Sequence, residues 1–196
     1  MNIKEITKLM EQNLSAQRFK HSIAVANTAV KLATIYNVNT KSAEIAGLLH
    51  DCAKNLKNEE LLLKAEKFDI IINDIWRIEP QLLHGPVGAH LALEYYPELN
   101  KNIINAIYYH TTGRENMSKL EKIIYIADII EPSRSFYGVT ELRNLVGEPL
   151  NSLTVKVMDS VLKYLINNNL IIDTHTIKAR NQIYTKIKKQ VGKMER

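Results

Sequence analysis

Apolar positions recur every three or four residues along nearly the whole chain, and no stretch alternates apolar with polar residues between hairpin turns. That period belongs to the α-helix. A first short helix is predicted near residues 3–13. A second starts near Ser15 and carries Phe19, Ile23, Ala26, Val30 and Ala33 on a mostly apolar side. A third, with Thr40 as its cap, ends at His50-Asp51. A fourth starts at Asn58, with Glu59 and Glu60 in the first turn, where acids suit the positive end of the helix. Residues 68–83 are less regular and contain Pro80. Gly85-Pro86 opens the next helix, which runs to Tyr96-Pro97, and another covers about 98–110. Ser118-Lys119-Leu120-Glu121 has the form of a capping box and begins a very apolar helix. Pro132 stops that helix near Glu131. A loop at 132–139 and short helical pieces then lead to a long helix near 150–168 and a last one from Thr174. The pattern predicts a single all-α domain over residues 1–196.

Composition narrows this little. The chain has 196 residues, 45% of them hydrophobic and only 7 of them Gly, which suits a soluble globular domain rather than a disordered segment. No apolar run approaches the roughly 18 residues of a membrane span. The N-terminus lacks a secretory pattern, and Cys52 is the only cysteine, so a reducing cytoplasm is expected. Cys52 itself reads as a small core residue. The net charge of +5 is concentrated at the end. Residues 178–196 carry seven cations against Glu195, a net of +6, which leaves −1 for the rest. Ile177, Tyr184, Ile187 and Val191 fall at helical spacing beside those charges, so a solvated helix face is expected there. The sharper alternative is weak attraction for nucleotides or RNA. No aromatic-rich motif supports it, so nucleic acid is not expected as a partner.

The chemistry lies in a few ionisable residues on apolar ground. His50 and Asp51 close the run Ala43-Glu44-Ile45-Ala46-Gly47-Leu48-Leu49. An imidazole and a carboxylate side by side can face one divalent cation, and the second carboxylate oxygen can bridge to another. His21 sits within the second helix, with His50 one helix further on. Asp128 interrupts Ile123-Ile124-Tyr125-Ile126-Ala127 and Ile129-Ile130, where a carboxylate is costly unless paired or metal-bound. A wet stripe shared with Glu121 is the other reading, and Asp128 alone leaves both open. His84 lies where a loop enters a helix and His110 where one leaves, and both positions can look into a shared cavity. Taken together, His21, His50, Asp51, His84, His110 and Asp128 suffice for two metals if Asp51 bridges. Imidazole and carboxylate ligands without thiolate suit iron, manganese, cobalt or zinc better than calcium. Two such cations outweigh the two aspartates and attract phosphate. They can also generate hydroxide for in-line attack. His90 is six residues after His84 and should face elsewhere on the helix.

Five strings carry a resemblance. Arg18-Phe19-Lys20-His21, Leu49-His50-Asp51-Cys52-Ala53-Lys54, Leu83-His84-Gly85-Pro86-Val87-Gly88-Ala89, His110-Thr111-Thr112-Gly113-Arg114 and Ala127-Asp128-Ile129-Ile130-Glu131-Pro132-Ser133-Arg134 occur in this order. They resemble the HD-domain metal-dependent phosphohydrolase superfamily, in its YqeK-like branch, from about Ser15 to Arg143. The resemblance implies symmetrical cleavage of diadenosine tetraphosphate into two ADP at a di-iron centre. His21, His50, Asp51 and Asp128 would hold one metal, and Asp51, His84 and His110 the other. It does not extend to His90 or His175. The metal-site core would span about 15–143, with the helices of 150–196 packed on it.

A mechanism follows from the charges. A hydroxide between the metals attacks an inner phosphorus, and one ADP departs. Asp51 and Lys54 are the catalytic candidates. Lys54 lies three residues after Asp51, one turn away if the helix continues. Arg18, Lys54, His84, Thr111, Thr112, Gly113 and Arg134 are candidates for holding the substrate, and Tyr137 for stacking on a base. Arg114 and Arg143 are weaker candidates. Nucleoside di- or triphosphates and guanosine alarmones are alternative substrates. A metal- and nucleotide-binding regulator with a basic tail is the reading from a different class. A homodimer is compatible with the sequence.

Overall fold

A computed structural model describes residues 2–194, with side chains through Gln190. The expected apolar contact of Val191 and the charges of Lys193, Glu195 and Arg196 lie outside the described side chains. The order is α1 (Ile3–Asn13), α2 (Ala16–Ile35), α3 (Thr40–Leu49), α4 (Asn58–Lys67), α5 (Asp74–Ile78), a 3-10 turn (Pro80–Leu83), α6 (His84–Tyr95), α7 (Lys101–Tyr108), α8 (Lys119–Ile130), α9 (Val139–Asn144), α10 (Leu150–Asn167) and α11 (Thr174–Met194). The only β feature among the described residues is an isolated bridge between Val146 and Glu148.

Polar residues at the helix starts take up otherwise orphaned backbone N–H groups. Ser15 caps α2. Ser118 accepts from the Glu121 N–H at 3.2 Å while the Glu121 carboxylate accepts from the Ser118 N–H at 2.7 Å, so the predicted capping box forms. One cap differs from expectation, while α4 starts at Asn58 as expected. Asn39 caps α3 in place of Thr40, because its carbonyl oxygen reaches the Ser42 N–H at 2.8 Å. The N-cap of α4 is Lys57, whose N–H is held by Glu60.

The core forms around α8, which is buried through Ile123, Ile124, Tyr125, Ile126 and Ala127 and packs on α2, α3 and α7. A helix apolar on most sides belongs in an interior. Helix α2 lies along α3, α6 lies on α7, and α4 covers the 3-10 turn and α6. Helices α10 and α11 pair with each other, and α10 also reaches α8.

The α2 and α3 backbones approach closely. A Cβ on Gly47 would lie 2.6 Å from the Ala26 Cα. Close approach favours small side chains, so Ser22, Val25, Ala26, Ala29, Leu32 and Ala33 form the buried face of α2. Of the predicted stripe, Ala26 and Ala33 belong to that face, whereas Phe19, Ile23 and Val30 are only partly buried and flank it. On α11 the buried positions are Thr176, Ala179 and Ile183, while Ile177 and Tyr184 are exposed. The described cations Lys178, Lys186, Lys188 and Lys189 are exposed on the wet side of a helix that belongs to the core. No helix among the described residues is long and apolar enough to cross a membrane.

Candidate metal centre

Five elements deliver six ionisable side chains to one place. His21 comes from α2, and His50 and Asp51 follow directly on α3. His84 is the first residue of α6, His110 lies just past α7, and Asp128 is on α8. Asp51 stands between two groups. Its Oδ2 lies 3.7 Å from His50 Nε2, and its Oδ1 lies 3.3 Å from His84 Nε2 and 3.5 Å from His110 Nε2. Asp128 Oδ1 lies 2.9 Å from His21 Nε2 and 3.9 Å from His50 Nε2. Three overlapping sets have ligand atoms close enough to share an ion: His21, His50 and Asp51; His50, His110 and Asp128; and Asp51, His84 and His110.

The four rings are held alike. Nδ1 of His50 donates to Gly47 O at 2.7 Å, and Nδ1 of His110 donates to Ile107 O at 2.7 Å. His84 Nδ1 faces the Gln81 carbonyl, and His21 Nδ1 lies 3.0 Å from Glu131 Oε1. With Nδ1–H so used, each Nε2 presents a lone pair to the centre. This arrangement leaves unmet demand. His84 and His110 face each other Nε2 to Nε2 at 3.0 Å, which repels unless something positive or a donor intervenes. The Thr111 hydroxyl is 3.1 and 3.2 Å from those nitrogens but has one proton to give, and Lys54 Nζ, 3.2 Å from His84 Nε2, is the other donor within reach. The buried His50 Nε2 has no hydrogen-bond partner, and with its Nδ1–H on Glu131 the His21 Nε2 sets a lone pair against Asp128 Oδ1 at 2.9 Å. Orphaned nitrogens beside carboxylates are what divalent cations would satisfy, so the residues fit such ions.

Four of the five cluster groups with shifted pKa values are held in the form a ligand needs, and His21 is the exception. Burial pushes His50 and His84 down to about 4, so both are neutral at pH 7 as ligands must be. Burial pulls Asp51 upward, yet His50, His110 and His84 outweigh it and hold the carboxyl well below its ordinary range. Burial also opposes ionisation of Asp128, and His21, His50 and Arg134 override it. For His21, burial lowers the pKa, but the Asp128 and Glu131 carboxylates win and raise it.

A cavity of about 460 Å³ opens above the cluster. His21, Asp51, His84, His110 and Asp128 line it, together with Arg18, Lys54, Thr111 and Arg134. Lys54 Nζ lies 3.2 Å from His84 Nε2. It gets there by tight turns rather than a continued helix, because α3 ends at Leu49 and the Lys54 N–H bonds Asp51 O. Burial lowers the Lys54 pKa, with Asp51 and Asp128 opposing that shift. Arg134 donates from Nε to Asp128 O at 2.8 Å and from Nη2 to Asp128 Oδ1 at 2.5 Å.

Three substrate candidates do not reach the cavity. Thr112 is buried and donates to Gly113 O. The Gly113 N–H is already given to Tyr109 O at 2.8 Å, and the residue packs against Met158 and Met117. Tyr137 is fully exposed and is not among the lining residues. Arg114 pairs with Glu121 at 2.6 Å and lies over the Tyr109 ring, so Glu121 is not the partner of Asp128. His90 stacks on Phe68, and His175 bonds Asp173, which also accepts from Trp76 Nε1. Cys52 is buried, and its thiol donates to Gly88 O.

Glu131 was not predicted. It is fully buried, accepts from Ser133, and orients His21. The only sequence signal for it is its spacing, three residues after Asp128 on the same helical side. Ser15, Gln17 and Ser133 also line the cavity.

A family model described as the HD domain matches residues 18–133, which include all six cluster residues. The chain belongs to the HD-domain family. Relatives of this HD domain include the symmetrical bis(5'-nucleosyl)-tetraphosphatase of Bacillus subtilis (strain 168), 38% identical over 86% of this chain and 90% of that one. The protein of the same name from Halalkalibacterium halodurans is 37% identical over 93% and 97%. A crystal structure from Clostridium acetobutylicum, described as a predicted HD superfamily hydrolase involved in NAD metabolism, is 42% identical. It superposes with a TM-score of 0.90, covering 95% of this chain and 98% of that one.

Proposed function

We propose that this HD domain hydrolyses diadenosine tetraphosphate symmetrically, giving two ADP. The observation that carries the reading is Asp51 with one carboxylate oxygen toward His50 and the other toward His84 and His110, beneath a cavity edged by Lys54, Arg18 and Arg134. The name of the relatives matches it over most of the chain.

In this reading His21, His50, Asp51 and Asp128 hold one divalent cation, and Asp51, His84 and His110 hold a second. Iron is the first choice, with manganese, cobalt or zinc as alternatives. When bound, such a pair supplies an acidified water and draws charge from phosphoryl oxygens. The chain supplies the rest. Arg18 and Arg134 offer planar forks to phosphate oxygens, and Thr111 offers a hydroxyl beside the His84–His110 pair. Lys54, part-buried with its Nζ 3.2 Å from His84 Nε2, meets the charge that grows on the leaving ADP. Water oxygen adds to an inner phosphorus, the bridging P–O bond breaks, and the departing oxygen ends as the terminal phosphate of ADP. The partner is thus a small nucleotide, and the compartment we assign is the cytoplasm. The metal-site core of about 15–143 and the helices of 150–196 form one unit in this assignment.

Purified protein loaded with manganese or iron is expected to convert diadenosine tetraphosphate to ADP only. Appearance of ATP and AMP would overturn symmetrical cleavage. Faster turnover of a nucleoside triphosphate or a guanosine alarmone, by specificity constant, would overturn the substrate. Asp51→Ala is expected to lower turnover at least about 1,000-fold, because it removes the bridge between two ligand sets, while the helical circular dichroism is kept.

A further inference from the structure

We propose that Arg143 is a positioning residue that fixes Arg134 over the cluster. This rests on the nucleotide reading above and adds a residue to it. Arg143 is partly buried on α9, anchored beside the buried Val139 and Leu142. Its guanidinium makes no ion pair among the described residues and spends its N–H groups on main-chain carbonyls alone. Nε donates to Ile130 O at 2.9 Å. Nη2 donates to Glu131 O at 2.7 Å and to Arg134 O at 2.8 Å.

Those acceptors bracket the turn that leaves α8. Ile130 and Glu131 end the helix, where carbonyls lack intrahelical donors. Arg134 closes the turn, with its own N–H on Glu131 O at 3.0 Å. Arg143 therefore clamps the first and last residues of the segment 130–134. The pinned segment sets where the Arg134 side chain starts, and that side chain returns to Asp128 and lines the cavity. Arg143 itself does not line the cavity. A planar fork reaching three carbonyls is a task a lysine cannot perform, since an ammonium is a compact point donor.

The test is a double-mutant cycle on the metal-loaded full chain, read as kcat/KM for diadenosine tetraphosphate and as ADP affinity by calorimetry. Arg134→Ala and Arg143→Ala are each expected to lower kcat/KM by about tenfold or more, and the double variant is expected to match Arg134→Ala within about twofold. Multiplying penalties, or wild-type kcat/KM in Arg143→Ala, would overturn the proposal. If Arg143→Ala does not fold, Arg143→Lys decides. A roughly tenfold loss in Arg143→Lys, absent when Arg134 is already Ala, supports the proposal, and wild-type activity in Arg143→Lys refutes it. Manganese affinity should stay within about threefold of wild type in Arg143→Lys, and a larger loss would assign Arg143 to the ligand cluster instead. Failure of wild-type protein to turn over diadenosine tetraphosphate would sink the substrate reading. The cycle on ADP affinity would still test the positioning claim.

Discussion

Glu131 shows how much a ligand depends on the atom behind it. Its Oε1 faces His21 Nδ1 at 3.0 Å, and Ser133 donates to the same carboxylate from its N–H and its hydroxyl. A carboxylate behind an imidazole fixes the tautomer and raises ligand basicity. In Glu131→Gln one oxygen remains for Ser133, and an NH2 group must then meet the His21 N–H, donor against donor. Manganese affinity, measured by calorimetry, is expected to fall about 10–100-fold. Unchanged affinity would show that His21 is oriented by α2 alone. The six metal candidates were legible in the sequence because each breaks an apolar or helix-end context with an unusual residue. Glu131 was not, because an acid at a helix end before Pro132 has an ordinary explanation. Thr111 could not be told from Thr112 and Gly113 for a related reason. Which of three adjacent residues meets a cavity depends on Met117 and Met158, which occupy the other side of the turn.

At the scale of elements, Gly47 joins fold and site. Its Cα passes so near Ala26 that an added Cβ would meet the Ala26 Cα at 2.6 Å and the Ala26 N at 2.9 Å. Both atoms are backbone, so no side chain can swing aside. Its carbonyl also holds His50 Nδ1. Helix α2 carries His21 and α3 leads into His50, so separating the helices pulls one ligand from the other. Gly47→Ala is expected to cost about 1–3 kcal/mol of stability through overpacking. Cation affinity should fall at the same time. Denaturant unfolding and manganese calorimetry on one sample check both effects, and a stable variant with full affinity would show that the crossing is slack. The same crossing explains why periodicity placed the helices well but caught only part of the α2 face, Ala26 and Ala33. Large residues such as Ile23 and Val30 dominate a hydropathy pattern, whereas close helix contact selects Ser22, Ala26 and Ala29. On α11, the neighbours of Ala179 and Ile183 decide the buried face, and the exposed Ile177 and Tyr184 misled the pattern.

For the whole molecule, the cluster is a joint. Its side chains come from α2, the end of α3, α6, the end of α7 and α8, which are distant in sequence. A cation held there links elements that otherwise meet through apolar packing. Binding to the folded state alone adds stability by mass action, about 2.7 kcal/mol per site at a hundred times Kd. For a chain of this length each kcal/mol raises Tm by about 2–4 °C, so one occupied site should raise it by about 5–10 °C. Thermal scans with manganese, and again after chelation, measure that difference. The bridging role of Asp51 makes a sharper demand on the same scans. His84→Ala touches one ligand set and should leave part of the manganese-dependent rise, through His21, His50, Asp51 and Asp128. Asp51→Ala touches both sets and should remove most of it. If the two variants lose the rise equally, or wild type shows none, Asp51 does not join two ions and the centre holds one cation or none.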